Sequence, residues 1–447
     1  MKALRIGICG NGTVGGGTLQ LLREGAARLR QRAGMALEPT CLGARRRRAD
    51  CPTGDLPVYR DLLEVARADN VDVLVECIGG AELARELLET ALRHGKSVVT
   101  ANKALIAEHG NELMQIAEEQ GVSLRCEAAV AGGIPILKAL REGMAGNRVS
   151  AVSGIINGTS NFILTAMEAQ SRSFEDVLAE AQALGYAEAD PRFDIEGVDA
   201  AHKLAILAAM AFEMPLAFPA VYREGIARVT PADIEFAREL GYRIKHLGIA
   251  KRVDAGVELR VHPTLLPADS PLARVDGVLN AVRLHAHAAG DTVYSGAGAG
   301  REATASAVVA DLVDIARARV PAAAGAQAGA HAGSHAEIIR PLPLLGVPWA
   351  ALRQPDIVSM DRVRSAWYLR VRAEDRPGVM SELASCLGAQ GISIEALIQK
   401  PPEAPGDAVS VLVLSNEAAR AALRRAVEAI AAMDAVREAP RVIPVEV

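Results

Sequence analysis

Over the first third of the chain, short apolar runs alternate with stretches whose apolar residues recur at helical spacing. LRIGICG at 4–10 leads into a helical pattern near Thr13 to Gly25, VDVLVECIG at 71–79 into one near Ala81 to His94, and SVVTANK follows at 97–103. Strand, helix and strand in this rhythm predict an α/β fold, a doubly wound parallel sheet. From about Val149 the pattern changes: strands VSAVSGII and VELRVHPTLL mix with helical stretches at Phe162 to Glu168 and Phe174 to Leu184, the mark of an inserted α+β domain. YSGAGAGREATASAVVADLVDIARA reads as a glycine-rich turn feeding a long helix that packs back on the first domain. PAAAGAQAGAHAGSHA at 321–336 has no hydrophobic period and reads as a linker. Beyond it a strand, an Asp375-Arg376-Pro377-Gly378 turn, a helix, two strands and a helix over Asn416 to Met433 form a βαββα unit, a small separate module. The expected boundaries are 1–135, 136–320, a linker at 321–360, and 361–447.

Composition narrows the class. At 447 residues the chain exceeds one hydrophobic core. Half its residues are hydrophobic and its net charge is −5, which argues against a nucleic-acid surface and against disorder. Six dispersed cysteines without a CxxC pair, and no secretory leader before the first strand, make the cytoplasm the expected compartment. No apolar run reaches the ~20 residues of a membrane helix, because Glu213 and Pro215 interrupt the longest. His331 and His335 in the linker, and His285 and His287 in LHAHA, lack the third ligand a metal wants and are assigned no chemistry. Trp349 and Trp367 are expected to anchor packing.

Gly10-Asn11-Gly12-Thr13-Val14-Gly15 follows a strand and opens a helix, the context a Rossmann dinucleotide fingerprint requires. Gly10 permits the tight turn, Gly12 the approach of backbone to pyrophosphate, and Gly15 the helix–strand contact. The acidic residue expected after the second strand is missing, and Arg45-Arg46-Arg47-Arg48 stands there. Guanidinium groups at that place pair with a 2′-phosphate, which favours NADP(H) over NAD(H) with Arg45 as the contact. A solvated basic loop is the plain alternative.

The densest chemistry lies in LGYAEADPRFDIEGVDAAHK at 184–203. Glu188, Asp190, Asp194 and Glu196 occupy a loop punctuated by Gly and Pro, and Asp199 and Lys203 fall one turn apart on one face of the helix that follows. An exposed intrahelical ion pair would contribute only a few tenths of a kcal/mol. The flanking LAILAAMAF is too apolar for a solvated face, so these charges point to a charged ligand.

GNGTVG, TANKALIA, EAAVAGGIPI, INGTSNFILTAM and GYAEADPRFDIEGVDAAHK, in this order, resemble homoserine dehydrogenase over roughly residues 1 to 320, and the last ~80 residues resemble an ACT domain, an amino-acid-sensing module. The resemblance implies reduction of L-aspartate 4-semialdehyde to L-homoserine with NAD(P)H, in the pathway to threonine and methionine. It implies a dinucleotide-binding domain at 1–135, a catalytic substrate and dimerisation domain at 136–320, and a βαββαβ-like ACT regulatory domain at 361–447. Lys203 matches the family's catalytic position and Lys103 the one that approaches both nicotinamide and substrate. Either lysine could polarise the carbonyl, with Lys203 favoured for proton transfer and Lys103 for orientation. Asp199 is placed with them in the catalytic set, and Glu188, Asp194 and Asp199 match carboxylates at the substrate's amino end. Thr100, Gly298 and Gly300 join Gly10, Gly12, Thr13, Val14, Gly15, Arg45 and Lys103 at the cofactor. The Glu127 carboxylate with the carbonyls of Val130, Gly132 and Ile134 matches a sodium loop, which by sequence alone is an ordinary glycine turn. The module implies L-threonine as effector, against the alternative that it only dimerises, and a homo-oligomer, dimer or tetramer. Two other readings stand beside this one: another Rossmann dehydrogenase acting on an amino-acid semialdehyde, and a catalytically silent NADP-sensing regulator.

Overall fold

The computed structural model describes residues 3–46, 48, 51, 53–319, 341–401 and 408–446. Arg47, His331, His335 and the expected linker up to residue 340 lie outside the described residues. The chain divides into two compact units, each assembled from separated segments: residues 1–150, 202–219 and 285–354 form the first, and residues 151–201, 220–284 and 355–447 the second.

The first unit is built on strands β1 (Leu4–Cys9), β2 (Leu37–Gly43), β3 (Val58–Tyr59), β4 (Val73–Glu76), β5 (Ser97–Thr100) and β6 (Leu124–Arg125). They pair in the order β3-β2-β1-β4-β5-β6, every neighbour parallel. Strands covered on both faces must be apolar throughout, and Ile6, Ile8, Val73, Leu74, Val75, Val98 and Val99 are all fully buried. Helices α1 (Thr13–Glu24) and α2 (Ala26–Ala33) follow β1, α3 (Leu62–Arg67) follows β3, and α4 (Glu82–Arg93) and α5 (Lys103–Glu119) follow β4 and β5. The helix Arg301–Arg319 packs against α1, bringing Val308 and Leu312 into one core with Leu19, Ile6 and Val99, as its sequence pattern predicts. Strand order reverses beside β1, so the carboxyl ends of β1 and β4 flank a crevice of the kind that holds ligands in open α/β sheets. The two histidines of LHAHA have structural roles: His285 Nδ1 lies 2.6 Å from Asp291, and His287 Nδ1 accepts the Arg148 N–H at 2.9 Å.

In the second unit the strands run Leu279–Ala286, Val149–Ile155, Tyr242–Val253, Gly256–Pro267, Arg441–Val445, Arg364–Ala373, Val409–Ser415 and Ile394–Gln399. The last four carry the carboxy-terminal module, with helices Val379–Gly388 and Arg420–Ala431 over a core of Leu369, Val371, Leu383, Val411, Val413 and Leu423. Trp367 is fully buried there and its indole N–H donates to the Ala418 carbonyl at 2.9 Å, whereas Trp349, in the first unit, is half-buried. The terminal strand Arg441–Val445 sets the module beside the preceding sheet: Val445 pairs in parallel with Leu265, and the Glu446 N–H donates to the Leu265 carbonyl at 3.0 Å.

A buried ion pair joins the same two parts. Arg370 of the module donates to Asp233 at 2.6 Å, and the other Asp233 oxygen accepts the N–H and hydroxyl of Thr230, closing a capping box on the helix Pro231–Glu239. Removing one member of such a pair leaves the other charged and desolvated. Arg370→Ala is expected to lower stability by about 3–5 kcal/mol in urea unfolding of the full chain; a loss under about 1 kcal/mol would show that the pair is energetically idle.

Candidate active site

The glycine turn after β1 has the geometry that its sequence predicts. Gly10 has φ +103°, and a Cβ there would lie 2.4 Å from the Cys77 carbonyl oxygen; one at Gly15 would lie 1.9 Å from the Gly10 carbonyl oxygen. Chain and helix approach each other as only glycine permits. At Gly12 a Cβ meets nothing within 4 Å, and Gly12 caps α1 without a side-chain hydrogen bond. Thr13 and Val14 open the helix, so the backbone faces open space at its positive end, which fits a dinucleotide pyrophosphate. Arg45 is exposed just past the end of β2, and the Asn11 side chain of the glycine turn donates to the Arg46 carbonyl at 2.7 Å. The basic segment therefore adjoins the pyrophosphate turn, where a ribose 2′-substituent would lie.

Lys103 is the first residue of α5, half-buried, and Asn102 caps that helix by accepting the Leu105 N–H at 3.1 Å. Thr100 is the last residue of β5. It is fully buried, its hydroxyl donates to Glu76 at 2.5 Å and accepts the Asn102 N–H at 3.0 Å, so its side chain is spent inside the protein.

The helix Val198–Phe212 carries Asp199 and Lys203 one turn apart with only 2% and 8% of their surfaces exposed, and Leu204 to Ala209 are buried with them. In the second unit Asn157 organises the acidic loop. Its amide donates to Asp194 at 2.7 Å and to Asp199 at 2.8 Å, while its carbonyl oxygen accepts the Ser160 N–H and caps the helix Gly158–Gln170. Sequence reading passed over Asn157; the signal was an Asn between a strand and the helix-opening Gly-Thr-Ser. Glu188 is exposed on the same loop, with its carbonyl accepting from Gln182 at 3.0 Å. Asp190 is committed elsewhere, because the Arg192 guanidinium beside it holds its carboxyl down to about 2.

The glycine turn at 127–134 is an interior hub. Both Glu127 carboxylate oxygens accept backbone N–H groups, from Leu137 and Lys138 at 2.9 Å each, and its own N–H donates to buried Asp311 at 2.8 Å. Burial and the Asp311 charge push Glu127 up to about 7, and burial pushes Asp311 up to about 6. The carboxylate expected to face a cation thus secures a helix start, and the carbonyls of Val130, Gly132 and Ile134 remain the natural oxygen donors for a hard cation. Ala131 and Gly132 take left-handed φ values of 55° and 46°, and the Gly133 N–H donates to Ala297 at 3.0 Å, which sets this turn beside the Gly298–Gly300 loop. Gly300, at φ +124°, opens the helix Arg301–Arg319 with free space on its Cβ side.

Comparison with known proteins bears on this arrangement. A family model for homoserine dehydrogenase matches residues 135–313, one for the homoserine dehydrogenase NAD-binding domain matches residues 10–127, and one for the ACT domain matches residues 367–432. A homoserine dehydrogenase of Pseudomonas aeruginosa is 49% identical over 436 residues, 98% of this chain and 97% of that one. The crystal structure of a homoserine dehydrogenase from Thiobacillus denitrificans is 46% identical and superposes with a TM-score of 0.91, over 100% of this chain and 99% of that one. A hyperthermophilic archaeal homoserine dehydrogenase in complex with NADPH is 28% identical, with a TM-score of 0.60 over 70% of this chain and 98% of that one. On these matches the chain belongs to the homoserine dehydrogenase family of oxidoreductases and carries a C-terminal ACT domain.

Proposed function

We propose that the chain reduces L-aspartate 4-semialdehyde to L-homoserine with NADPH in preference to NADH, within threonine and methionine synthesis, and that L-threonine bound to the ACT module restrains it. The observation that carries the catalytic part is the buried placement of Lys203 and Asp199 on one turn of a helix whose first residues are clamped by Asn157. When bound, the nicotinamide supplies hydride from its C4 to the aldehyde carbon. The Lys203 ammonium polarises the carbonyl oxygen and gives it a proton as alkoxide charge develops, then recovers a proton from solvent. Lys103 orients the carbonyl and adds positive potential. Glu188, Asp194 and Asp199 hold the α-ammonium end, with Asn157 fixing one oxygen on each of the two aspartates, so that the substrate lies along the helix in a single register. Gly10, Gly12, Thr13, Val14, Gly15 and Gly300 cradle the cofactor, and Arg45 pairs with the 2′-phosphate. NADPH is the cofactor held by the archaeal relative of similar fold. The Glu127 carboxylate and the carbonyls of Val130, Gly132 and Ile134 would hold a monovalent cation, sodium, in a structural role, and the enzyme works as a cytoplasmic homo-oligomer. No helix among the described residues is long and apolar enough to cross a membrane.

Lys203→Ala should lower kcat by about 100-fold or more with a modest change in cofactor binding, whereas Glu188→Ala should act mainly on substrate KM; full activity in Lys203→Ala would remove the assignment. Arg45→Asp should reduce the NADPH-over-NADH preference in kcat/KM by about tenfold or more, and an unchanged ratio would leave the basic segment a solvated loop. Two ligand titrations of the full chain address the remaining parts. Sodium, but not choline at equal ionic strength, should raise Tm, and L-threonine should both raise Tm and inhibit NADPH consumption. A Tm indifferent to sodium sinks the cation site; indifference to threonine in both readouts leaves the module as a dimerisation element.

A further inference from the structure

Glu76 ends β4 at the crevice and is fully buried, yet no role described so far uses it. An ionisable group in that position demands an account, because desolvation of a carboxylate costs several kcal/mol unless donors converge on it. Three do. One carboxylate oxygen accepts the N–H groups of Ile78 at 2.8 Å and Gly79 at 3.1 Å, and the other accepts the Thr100 hydroxyl at 2.5 Å. Thr100 in turn accepts the Asn102 N–H, and the Asn102 amide donates back to the Gly80 carbonyl at 2.7 Å while its oxygen caps α5.

These bonds close a ring through the two loops that follow β4 and β5. Glu76 holds the 77–80 loop by its backbone, that loop holds Asn102, Asn102 sits on Thr100, and Thr100 returns to Glu76. The next residue after this ring is Lys103, at the first position of α5. A lysine stem has four rotatable carbons, so the place its ammonium can reach is governed by where its Cα is fixed. An acceptor-only side chain of this length takes all three donors at once; an amide would turn an N–H toward the Thr100 hydroxyl, which would then have to accept instead of donate. Burial also raises the Glu76 pKa, opposed by the Thr100 hydroxyl and the two backbone donors.

We infer that Glu76 and Thr100 are positioning residues for Lys103, setting the register of the helix start from which its ammonium is aimed. The inference rests on the proposed role of Lys103 in orienting the carbonyl. Misplacement by about 1 Å is enough to cost up to 100-fold in rate.

The test is a double-mutant cycle on the full-length enzyme, with steady-state kinetics for aspartate semialdehyde reduction and NADPH binding read by fluorescence. Thr100→Val keeps shape and removes the hydroxyl; it should lower kcat about tenfold or more while NADPH affinity stays within about threefold, and Thr100→Ser should recover most of the loss. In a Lys103→Ala background the same Thr100→Val change should cost no more than about twofold. Glu76→Gln provides a second entry to the ring and should behave like Thr100→Val, with NADPH binding reporting that the fold is retained. Wild-type kcat in both Thr100→Val and Glu76→Gln overturns the inference, as does an undiminished loss in the Lys103→Ala background. Wild-type kcat in Lys103→Ala itself would instead overturn the reading of Lys103 on which the inference stands.

Discussion

Two opposite charges are held in a nearly dry helix. Val198–Phe212 is among the most apolar segments of the chain, and it keeps an aspartate and a lysine almost wholly out of water. Desolvating an ammonium or a carboxylate costs several kcal/mol that a hydrophobic pair at the same positions would not incur. Retaining both in place of a hydrophobic pair fits their proposed work on a charged substrate. In a water-poor site a fixed cation stabilises developing alkoxide far more than in bulk solvent, and no reorganisation is needed at the moment of reaction. Asn157 serves the same end from the other side, restraining two carboxylates with one amide.

Legibility in the sequence followed the range of the interactions. Features set by neighbours along the chain were readable: the Gly10 turn between strand and helix, the Asp199/Lys203 spacing, and helix limits such as Phe174–Ala183, one residue short of the predicted end. The helix Arg301–Arg319 was also legible, because a glycine-rich turn feeding a long helical run announced it. Contacts between distant residues were not. Glu76 meets Thr100 across 24 positions, Asn157 meets Asp199 across 42, and Arg370 meets Asp233 across 137. Thr100 illustrates the limit: its place at the end of a strand is readable, but only the fold reveals that its hydroxyl serves Glu76. Glu127 is similar, since only the fold reveals that both its oxygens accept backbone N–H groups at a helix start.

The carboxy-terminal ACT module is built into the second unit by a few specific bonds. A parallel pairing at Leu265, the buried Arg370–Asp233 pair, and contacts of Lys400 with Glu239 and the Phe236 ring tie it to the strand Gly256–Pro267 and the helix Pro231–Glu239. These are backbone and ionic bonds with narrow geometric tolerance. A ligand that favours one arrangement of the module shifts an equilibrium only by its differential affinity for the two states. If the module does respond to a ligand, as proposed, these bonds are the contacts through which the difference would reach the rest of the second unit.

The most direct test of the central claim is a crystal structure of the enzyme with NADP+ and L-homoserine bound. The account predicts the Lys203 ammonium within about 3.2 Å of the homoserine hydroxyl, on the side away from the nicotinamide. A Lys203 side chain directed into solvent, or a hydroxyl hydrogen-bonded to another group while Lys203 stands apart, would contradict it.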